Sequence, residues 1–204
     1  LMRERAKVIA EVLTMEQGKP LNESIREITL AADITDFQAE EAKRLYGRDV
    51  PTRAANIISQ NVIRQPIGPV AAFAPWNFPV NLTVRKMASA LAAGCSVIVR
   101  PDLQTPACAM LVVQCFLDAG VPADALNFVV GEPALVSDVL INHPLIRKVS
   151  FTGSVPIGKL LGEQCARLVK HFTAELGGHS AVIVCEDADI AYSIAASVAG
   201  KFRN

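Results

Sequence analysis

The chain has 204 residues, and 51% of them are hydrophobic, which is enough apolar material for one large domain or for one domain and part of a second. Lysine plus arginine and aspartate plus glutamate number 20 each, without a long run of either sign, so the composition argues against a nucleic-acid or polyanion partner. No secretory signal and no apolar segment of bilayer length occur. We therefore expect a cytoplasmic protein without a membrane partner.

The five cysteines are odd in number and fall within apolar helix or strand patterns: Cys95, Cys108, Cys115, Cys165 and Cys185. This arrangement predicts buried, reduced thiols rather than a disulfide framework. There is no CxxC and no His/Cys cluster that would indicate a metal site. The chain begins inside one helical pattern and stops directly after another, which leads us to expect a fragment of a longer protein.

The spacing of apolar residues predicts a first helix over residues 1–17 and a second helix from about residue 22 to 46. We interpret these helices as a half-exposed outer layer that carries no chemistry. The pattern over residues 57–64 favours one or two short edge strands. We expect residues 1–64 to form an N-terminal unit of helices and edge strands.

From residue 65 onward, apolar runs of strand length alternate with helical patterns, joined by short loops. The predicted strands cover residues 70–74, 95–99, 126–130, 147–151, 171–176 and 181–185. The predicted helices cover residues 80–93, 107–119 and 134–142, with two more from about residue 156 and over residues 190–202. This alternation predicts an α/β fold with a doubly wound, mainly parallel, Rossmann-like sheet over residues 65–204.

The stretch QPIGPVAAFAPWNFP, residues 65–79, ends a predicted strand with an asparagine set between bulky rings and prolines. Parallel sheets bind ligands at the carboxyl ends of their strands. An Asn77 side chain held rigidly there can donate a hydrogen bond to a developing oxyanion. The alternative is an asparagine that only serves a proline-rich turn. The residues alone leave both interpretations open.

Lys86 and Glu175 are two further candidates, one on a predicted helix and one at the end of a predicted strand. Lys86 has apolar neighbours, so it is either a partly buried group that handles protons or a solvated surface lysine. Glu175 precedes two glycines, and partial desolvation there would suit it to general-base catalysis. The alternative for Glu175 is a surface carboxylate before a turn.

Two other strand ends carry candidate contacts for a phosphate. Arg100 follows a continuous apolar run, and it is either a phosphate or ribose ligand or a surface arginine. Residues 153–158, GSVPIG, join a strand to a helix, where Gly153 allows close backbone approach and the helix start attracts an anion. The turn lacks the GxGxxG fingerprint, so a purely structural role stays open.

Four motifs occur in a fixed order: PWNFP (75–79), VRPDLQTP (99–106), FTGS (151–154) and ELGG (175–178). With them, the sequence resembles the aldehyde dehydrogenase superfamily over essentially its whole length. The resemblance implies a five-stranded Rossmann variant, truncated here before the catalytic domain and the oligomerisation arm. It also implies NAD or NADP as cofactor, a small-molecule aldehyde as substrate and a homo-oligomeric full-length enzyme. Within this superfamily, the sequence most resembles the succinate-semialdehyde dehydrogenases.

The resemblance also assigns roles to matching positions. Asn77 would be the oxyanion-binding amide, Glu175 the base that activates the deacylating water, and Lys86 a proton relay. The residues implied to contact the cofactor are Ala74, Pro75, Trp76, Arg100, Asp102, Leu103, Phe151, Thr152, Gly153, Ser154, Leu176 and Gly177.

Departures from the family pattern concern cofactor choice and the nucleophile. Arg100 replaces the usual lysine, and Leu103 stands where many NAD-preferring members have a glutamate, so NADP use is expected beside NAD. Family members attack the aldehyde with a cysteine thiolate, which gives a thiohemiacetal and then a thioester. No cysteine here matches that position, and Cys185, the nearest in sequence, is expected to be buried and inert. We expect the nucleophile a few residues beyond Asn204 and an inactive fragment.

Two other functions remain open from the sequence. One is a dinucleotide-binding module without catalysis. The other is an assembly protein that keeps the fold but binds no dinucleotide. In either case a shortened Rossmann domain is expected to self-associate through its apolar surface.

Overall fold

The computed structural model describes residues 1–204. The N-terminal part contains helices α1 (Ala6–Gln17) and α2 (Leu21–Ala42), followed by strands β1 (Arg48–Asp49) and β2 (Asn61–Val62). The remaining elements, in chain order, are β3 (Val70–Phe73), α3 (Pro79–Ala92), β4 (Val97–Arg100), α4 (Pro106–Asp118), β5 (Leu126–Phe128), α5 (Pro133–Asn142), β6 (Lys148–Gly153), α6 (Val155–Arg167), β7 (His171–Leu176) and α7 (Ile190–Lys201).

The main sheet is parallel throughout and has five strands in the order β5-β4-β3-β6-β7. The chain builds outward from β3 to β5, and then returns to the other side of β3 to add β6 and β7. This reversal confirms the predicted doubly wound α/β fold. It also creates a switch point between β3 and β6, where adjacent connections leave in opposite directions and a crevice opens.

Helices cover both faces of the sheet, and the alternation of side chains along β3 shows why. Val70 and Ala72 point into an apolar cluster that also contains side chains of α1 to α4. Ala71 and Phe73 point to the opposite face, into a second cluster with side chains of α5 and α6. A strand buried on both faces must be apolar at every position, as VAAF is.

The two N-terminal helices form an outer layer on one side of the sheet. Helix α2 packs along α3, and α1 packs along α4. Their buried side chains Ile9, Leu13 and Ile28 belong to the same apolar cluster as β3 and β4. The N-terminal helices are therefore packed directly against the helices that begin at the carboxyl edge of the sheet.

The prediction of a buried strand over residues 181–185 is wrong. These residues form no strand, and Ile183 is 87% exposed. Strand β7 pairs with β6 on one side only, and no further strand supplies a hydrogen-bonding partner. An apolar run without such a partner cannot satisfy its backbone in a sheet.

Cys185 is exposed as a result, so the expectation of five buried thiols is correct for the other four cysteines only. The expected edge strand over residues 57–64 is reduced to Asn61–Val62, which pairs antiparallel with Arg48–Asp49. None of the helices combines the length and the apolar composition that crossing a bilayer requires.

Candidate functional site

A cleft of about 1200 Å³ opens at the carboxyl ends of β3, β6 and β7, beside the switch point of the sheet. Ten of the residues predicted from the sequence line it: Pro75, Trp76, Asn77, Lys86, Thr152, Gly153, Ser154, Glu175, Leu176 and Gly177. They come from the turn after β3, helix α3, the end of β6 and the end of β7. No three His, Cys, Asp or Glu side chains are grouped in a way that would hold a metal ion.

Five predicted residues do not line the cleft. Ala74 is buried, and its backbone N–H donates to the Arg100 carbonyl over 3.1 Å. Phe151 is buried in the apolar cluster under α5 and α6. The other three, Arg100, Asp102 and Leu103, lie at the carboxyl end of β4, one strand away from the switch point.

Asn77 sits in the turn between β3 and α3, flanked by Pro75 and Pro79. Its side chain makes no hydrogen bond within the chain, and its Oδ1 atom is buried without a partner. An asparagine that serves a turn normally bonds to nearby backbone groups. The unused amide at the cleft therefore fits the oxyanion interpretation better than the turn interpretation.

The backbone around Asn77 is held by Lys19, which lies between α1 and α2, and by Glu27 of α2. The Lys19 ammonium donates to the Asn77 carbonyl oxygen over 2.9 Å. Lys19 is paired with Glu27 at 2.6 Å, and both side chains are 1% exposed. Glu27 Oε1 in turn accepts from the backbone N–H groups of Val80 and Asn81, each at 2.9 Å.

Lys86 projects from α3 toward β6, where its Nζ donates to Ser150 Oγ over 3.1 Å. Burial lowers the pKa of Lys86 to about 8, the Glu175 carboxylate acts in the opposite direction, and the Lys148 ammonium lowers it further. The side chain is therefore not the solvated surface lysine of the alternative interpretation. An amine with this pKa can gain and lose a proton near neutral pH.

Glu175 ends β7 opposite Thr152 in the parallel register of β6 and β7. It is exposed, so the partial desolvation expected from the sequence is not present in this chain. Gly177, two residues later, has open space around its Cβ position. Glu175 therefore lines the cleft from the end of β7, two strands away from β3, which leads to Asn77.

The helix starts around the sheet differ in what occupies their first N–H groups. Glu27 fills the start of α3, and Glu16 fills the start of α4 by accepting from Ala107 and Cys108 at 2.7 and 2.8 Å. The starts of α5 and α6 have no side-chain cap. Only α6 has its uncapped start in the cleft, where the Ser154 side chain forms no capping bond.

The two glycines of the 153–158 turn pack against side chains of the chain itself. A Cβ atom at Gly153 would lie 2.5 Å from the Phe151 ring, and one at Gly158 would lie 2.4 Å from Leu176. The glycines therefore allow α6 to approach the ends of β6 and β7 closely. This supports the structural interpretation of the glycines, while the start of α6 stays open toward the cleft.

Arg100 is buried, which rules out the surface-arginine interpretation. It is 6% exposed, its Nη2 donates to the Gly131 carbonyl over 3.1 Å, and its Nε is buried without a partner. Burial also lowers the pKa of the guanidinium below its usual value. Nearby, Asp102 accepts from the Gln104 N–H over 3.0 Å, and Leu103 is 46% exposed.

The sequence analysis missed Lys19, Glu27, Arg85 and Ser150, of which the last two line the cleft. A signal for Glu27 existed. It lies on the face of α2 that carries the buried Ser24, Ile28 and Ala31, and a carboxylate on such a face needs a partner. The partner itself lies far away in sequence, and periodicity does not identify it.

Comparison with known proteins places these observations in a family. The model of the aldehyde dehydrogenase family matches residues 1–204. A 4-(hydroxymethyl)benzenesulfonate dehydrogenase of Comamonas testosteroni is 49% identical over 100% of this chain and 42% of its own length. A succinate-semialdehyde dehydrogenase of Escherichia coli, named for NADP(+), is 45% identical over the same shares of the two chains.

Solved structures give the same result. A crystal structure of an NADP-dependent enzyme of Escherichia coli superimposes with a TM-score of 0.96 at 44% identity, over 99% of this chain and 42% of that chain. A salicylaldehyde dehydrogenase of Pseudomonas putida superimposes with a TM-score of 0.95 at 32% identity, over 98% and 42%. The chain thus spans about two fifths of the length of these relatives. It belongs to the aldehyde dehydrogenase family, as its four motifs indicated.

Proposed function

We propose that the full-length protein containing this chain oxidises an aldehyde to a carboxylic acid with NAD+ or NADP+. The observation that carries the proposal is the meeting of Asn77, Lys86 and Glu175 in one cleft at the switch point. Each comes from a different element, and the three groups supply an amide donor, an amine of lowered pKa and a carboxylate. That set fits acyl chemistry with a charged oxygen and a water to activate.

The open start of α6 fits the pyrophosphate of a dinucleotide. Its first turn has no side-chain cap, and the Ser154 hydroxyl is free to donate to a phosphate oxygen. Thr152 and Trp76 lie in the same cleft, where they can flank the nicotinamide. When bound, the nicotinamide supplies the hydride acceptor.

Cofactor selection would rest on Arg100 and Leu103 at the end of β4. The Arg100 guanidinium is bound to the Gly131 carbonyl, so part of its hydrogen-bonding capacity is already used. Leu103 offers no carboxylate that would hold ribose hydroxyls or repel a 2′-phosphate. We therefore propose that NAD+ and NADP+ are both accepted, with modest discrimination between them.

In the proposed mechanism Asn77 donates its amide N–H to the oxygen of the attacked aldehyde, where negative charge develops. Glu175 takes a proton from the water that later hydrolyses the acyl group. Lys86 passes protons between Glu175 and the interior of the cleft, because its amine is close to its pKa near pH 8. The Asn77 side chain makes no hydrogen bond within the chain that it would have to give up.

The attacking thiolate would come from outside residues 1–204. Cys95 is the one cysteine that lines the cleft, but it is buried and lies just before β4, at the amino edge of the sheet, whereas Asn77 follows the carboxyl end of β3. Burial also raises the pKa of the Cys108 thiol far above its usual value. The thiolate would form a thiohemiacetal and then a thioester with the substrate. Residues 1–204 alone would then produce no turnover, and the full-length enzyme would be a homo-oligomer.

The substrate we propose is an aldehyde that carries a remote anionic group. Relatives are named for succinate semialdehyde, glutarate semialdehyde, 3-sulfolactaldehyde and a benzenesulfonate, which share a carboxylate or a sulfonate. Arg85 lies on α3 next to Lys86 and lines the cleft. Its Nε donates to Asn81 Oδ1 over 3.0 Å, which orients the guanidinium and leaves its two terminal nitrogens available for the anion.

The proposal is tested with the full-length protein, succinate semialdehyde, 4-formylbenzenesulfonate and an uncharged aliphatic aldehyde, each with NAD+ and with NADP+. We expect reduced cofactor to form, fastest with the two anionic aldehydes, and turnover to stop after thiol alkylation. A protein that binds the dinucleotide but reduces none of it with any aldehyde would contradict the proposal. Faster turnover of the uncharged aldehyde would overturn the substrate class alone.

The role of Glu175 has its own test in rapid mixing. We expect Glu175→Gln to slow steady-state turnover by at least about a hundredfold, while a burst of reduced cofactor remains, because hydrolysis of the thioester is impaired. An undiminished steady-state rate would show that another group activates the water.

A further inference from the structure

The buried ion pair between Lys19 and Glu27 is directed entirely at the turn that carries Asn77. Lys19 lies between α1 and α2, and Glu27 lies on α2. Two charges that leave water need additional hydrogen bonds to compensate their lost hydration. Here every such bond beyond the pair itself goes to backbone groups of residues 77–81.

The ion pair holds the turn at both ends. Lys19 Nζ donates to the Asn77 carbonyl over 2.9 Å and lies 4.2 Å from the centre of the Phe78 ring. Glu27 Oε1 accepts from Val80 N and Asn81 N at 2.9 Å each. The backbone on either side of Phe78 and Pro79 is thus bound to one rigid unit.

This matters because nothing holds the Asn77 side chain itself. Its amide makes no hydrogen bond within the chain, and Oδ1 is buried without a partner. The position of the amide therefore follows from the position of its backbone. A donor that must meet a developing charge loses most of its effect when it is displaced by about 1 Å.

The start of α4 provides an internal comparison. There Glu16 fills the first N–H groups as Glu27 does at α3, but no lysine accompanies it. Capping a helix start in this protein therefore does not require a buried lysine. The lysine at α3 adds contacts with the Asn77 turn itself, which are the bond to the Asn77 carbonyl and the contact with the Phe78 ring.

We propose that Lys19 and Glu27 are positioning residues for the oxyanion-binding amide of Asn77, an inference that rests on the dehydrogenase function proposed above. They touch neither substrate nor cofactor in this arrangement. They act by fixing the backbone from which the Asn77 side chain projects.

A double-mutant cycle in the full-length protein tests this. Lys19→Met and Glu27→Gln are each made in the native background and in an Asn77→Ala background, and kcat and the KM for aldehyde are measured. We expect each substitution to lower kcat by about tenfold or more in the native background, with KM for aldehyde changed far less. In the Asn77→Ala background the same substitutions should change kcat by less than about twofold.

Glu16→Gln is the matched control, because it weakens a carboxylate-filled helix start without touching the Asn77 turn. Its effect on kcat should be the same factor in both backgrounds. Equal factors for Lys19→Met in the two backgrounds would overturn the proposal and leave a purely structural ion pair. If Lys19→Met does not fold, Glu27→Gln decides the question, since a glutamine oxygen still accepts from α3.

A second readout does not depend on turnover. Trp76 precedes Asn77, and 5-fluorotryptophan at this position gives a ¹⁹F resonance that Trp76→Phe identifies. We expect Lys19→Met and Glu27→Gln to shift or broaden this resonance, and Glu16→Gln to leave it in place. An unmoved resonance contradicts the positioning role. A wild-type protein without turnover contradicts the proposed dehydrogenase function. In that case the ¹⁹F shifts of the variants still test whether Lys19 and Glu27 position the Asn77 turn.

Discussion

Helices α3 and α6 both begin at the carboxyl edge of the sheet and both border the cleft. They differ in whether a side chain accepts hydrogen bonds from the backbone N–H groups of their first turns. A buried carboxylate occupies the start of α3, whereas the start of α6 has no side-chain cap. A helix start attracts anions through its free N–H groups and its dipole. We therefore expect the filled start to repel an anionic ligand and the open start to attract one. Because side chains of the N-terminal helices fill the starts of α3 and α4, the proposed phosphate site is the start of α6.

The buried Lys19 and the partly buried Lys86 show the same contrast. Lys19 is paired with the Glu27 carboxylate at 2.6 Å. Lys86 meets only the neutral Ser150 hydroxyl directly, and burial lowers its pKa to about 8. A compensated charge stabilises structure, while an uncompensated one is poised to exchange a proton. We therefore expect proton transfer to involve Lys86 rather than Lys19.

The largest expected effect comes from breaking the compensated side. Glu27→Gln leaves the Lys19 charge buried without its partner and should lower the free energy of unfolding by about 3–5 kcal/mol. Glu16→Gln removes the charge from a helix cap that has no buried lysine and should cost about 1 kcal/mol. Denaturant unfolding of the full-length protein measures both. Equal losses would show that the two filled helix starts are equivalent.

Filling the open start is the next test. Ser154→Asp places a carboxylate at the start of α6, and like-charge repulsion should raise the Kd of NADP+ roughly a hundredfold. Stability should not fall, because aspartate is a favoured N-cap. Ser154→Asn, neutral and also a favoured N-cap, should raise the Kd much less. Calorimetric titration compares the three proteins, and similar affinities for both variants would place the phosphates elsewhere.

The pH dependence of kcat sharpens the contrast between the lysines. The neutral form of Lys86 increases as the pH rises through about 8, so kcat should rise over that range. This rising limb of the pH profile should be absent in Lys86→Met. Lys148→Met removes a charge that lowers the pKa of Lys86, so the limb should move to higher pH. A limb that stays in place in Lys86→Met would assign it to another group.

The smallest effect concerns cofactor choice at the end of β4, outside the cleft. Leu103→Glu introduces a carboxylate that repels a 2′-phosphate and can bind ribose hydroxyls. We expect the ratio of kcat/KM for NADP+ to that for NAD+ to fall by about tenfold or more. Leu103→Gln, which is similar in size but uncharged, separates repulsion from hydrogen bonding. An unchanged ratio in Leu103→Glu would mean that the adenosine ribose lies elsewhere.

Much of the sheet could be predicted from the sequence because each element carries its own pattern. The apolar runs at β3 to β5, and the proline or glycine shortly after each strand, are local signals, and alternation of strands with helices gives the parallel topology. The failure at residues 181–185 has a physical reason. The run has the composition of a strand, but a strand exists only where a neighbour supplies hydrogen bonds.

The site was predictable only in part, for a related reason. Asn77, Lys86 and Glu175 stand at strand ends or on the helix beside them, which are positions that the fold itself marks. The contacts that hold Asn77 join residues 58 positions apart, from Lys19 to Asn77, and no local pattern encodes them. Likewise, burial of Arg100 depends on the Gly131 loop of the next strand.

The most direct measurement is a crystal structure of the full-length protein with bound NADP+. The proposed phosphate site requires the pyrophosphate at the start of α6, with an oxygen within hydrogen-bond distance of the Ser154 hydroxyl, while Glu27 and Glu16 keep their bonds to α3 and α4. A pyrophosphate at the start of α3 or α4, with either carboxylate displaced, would contradict it.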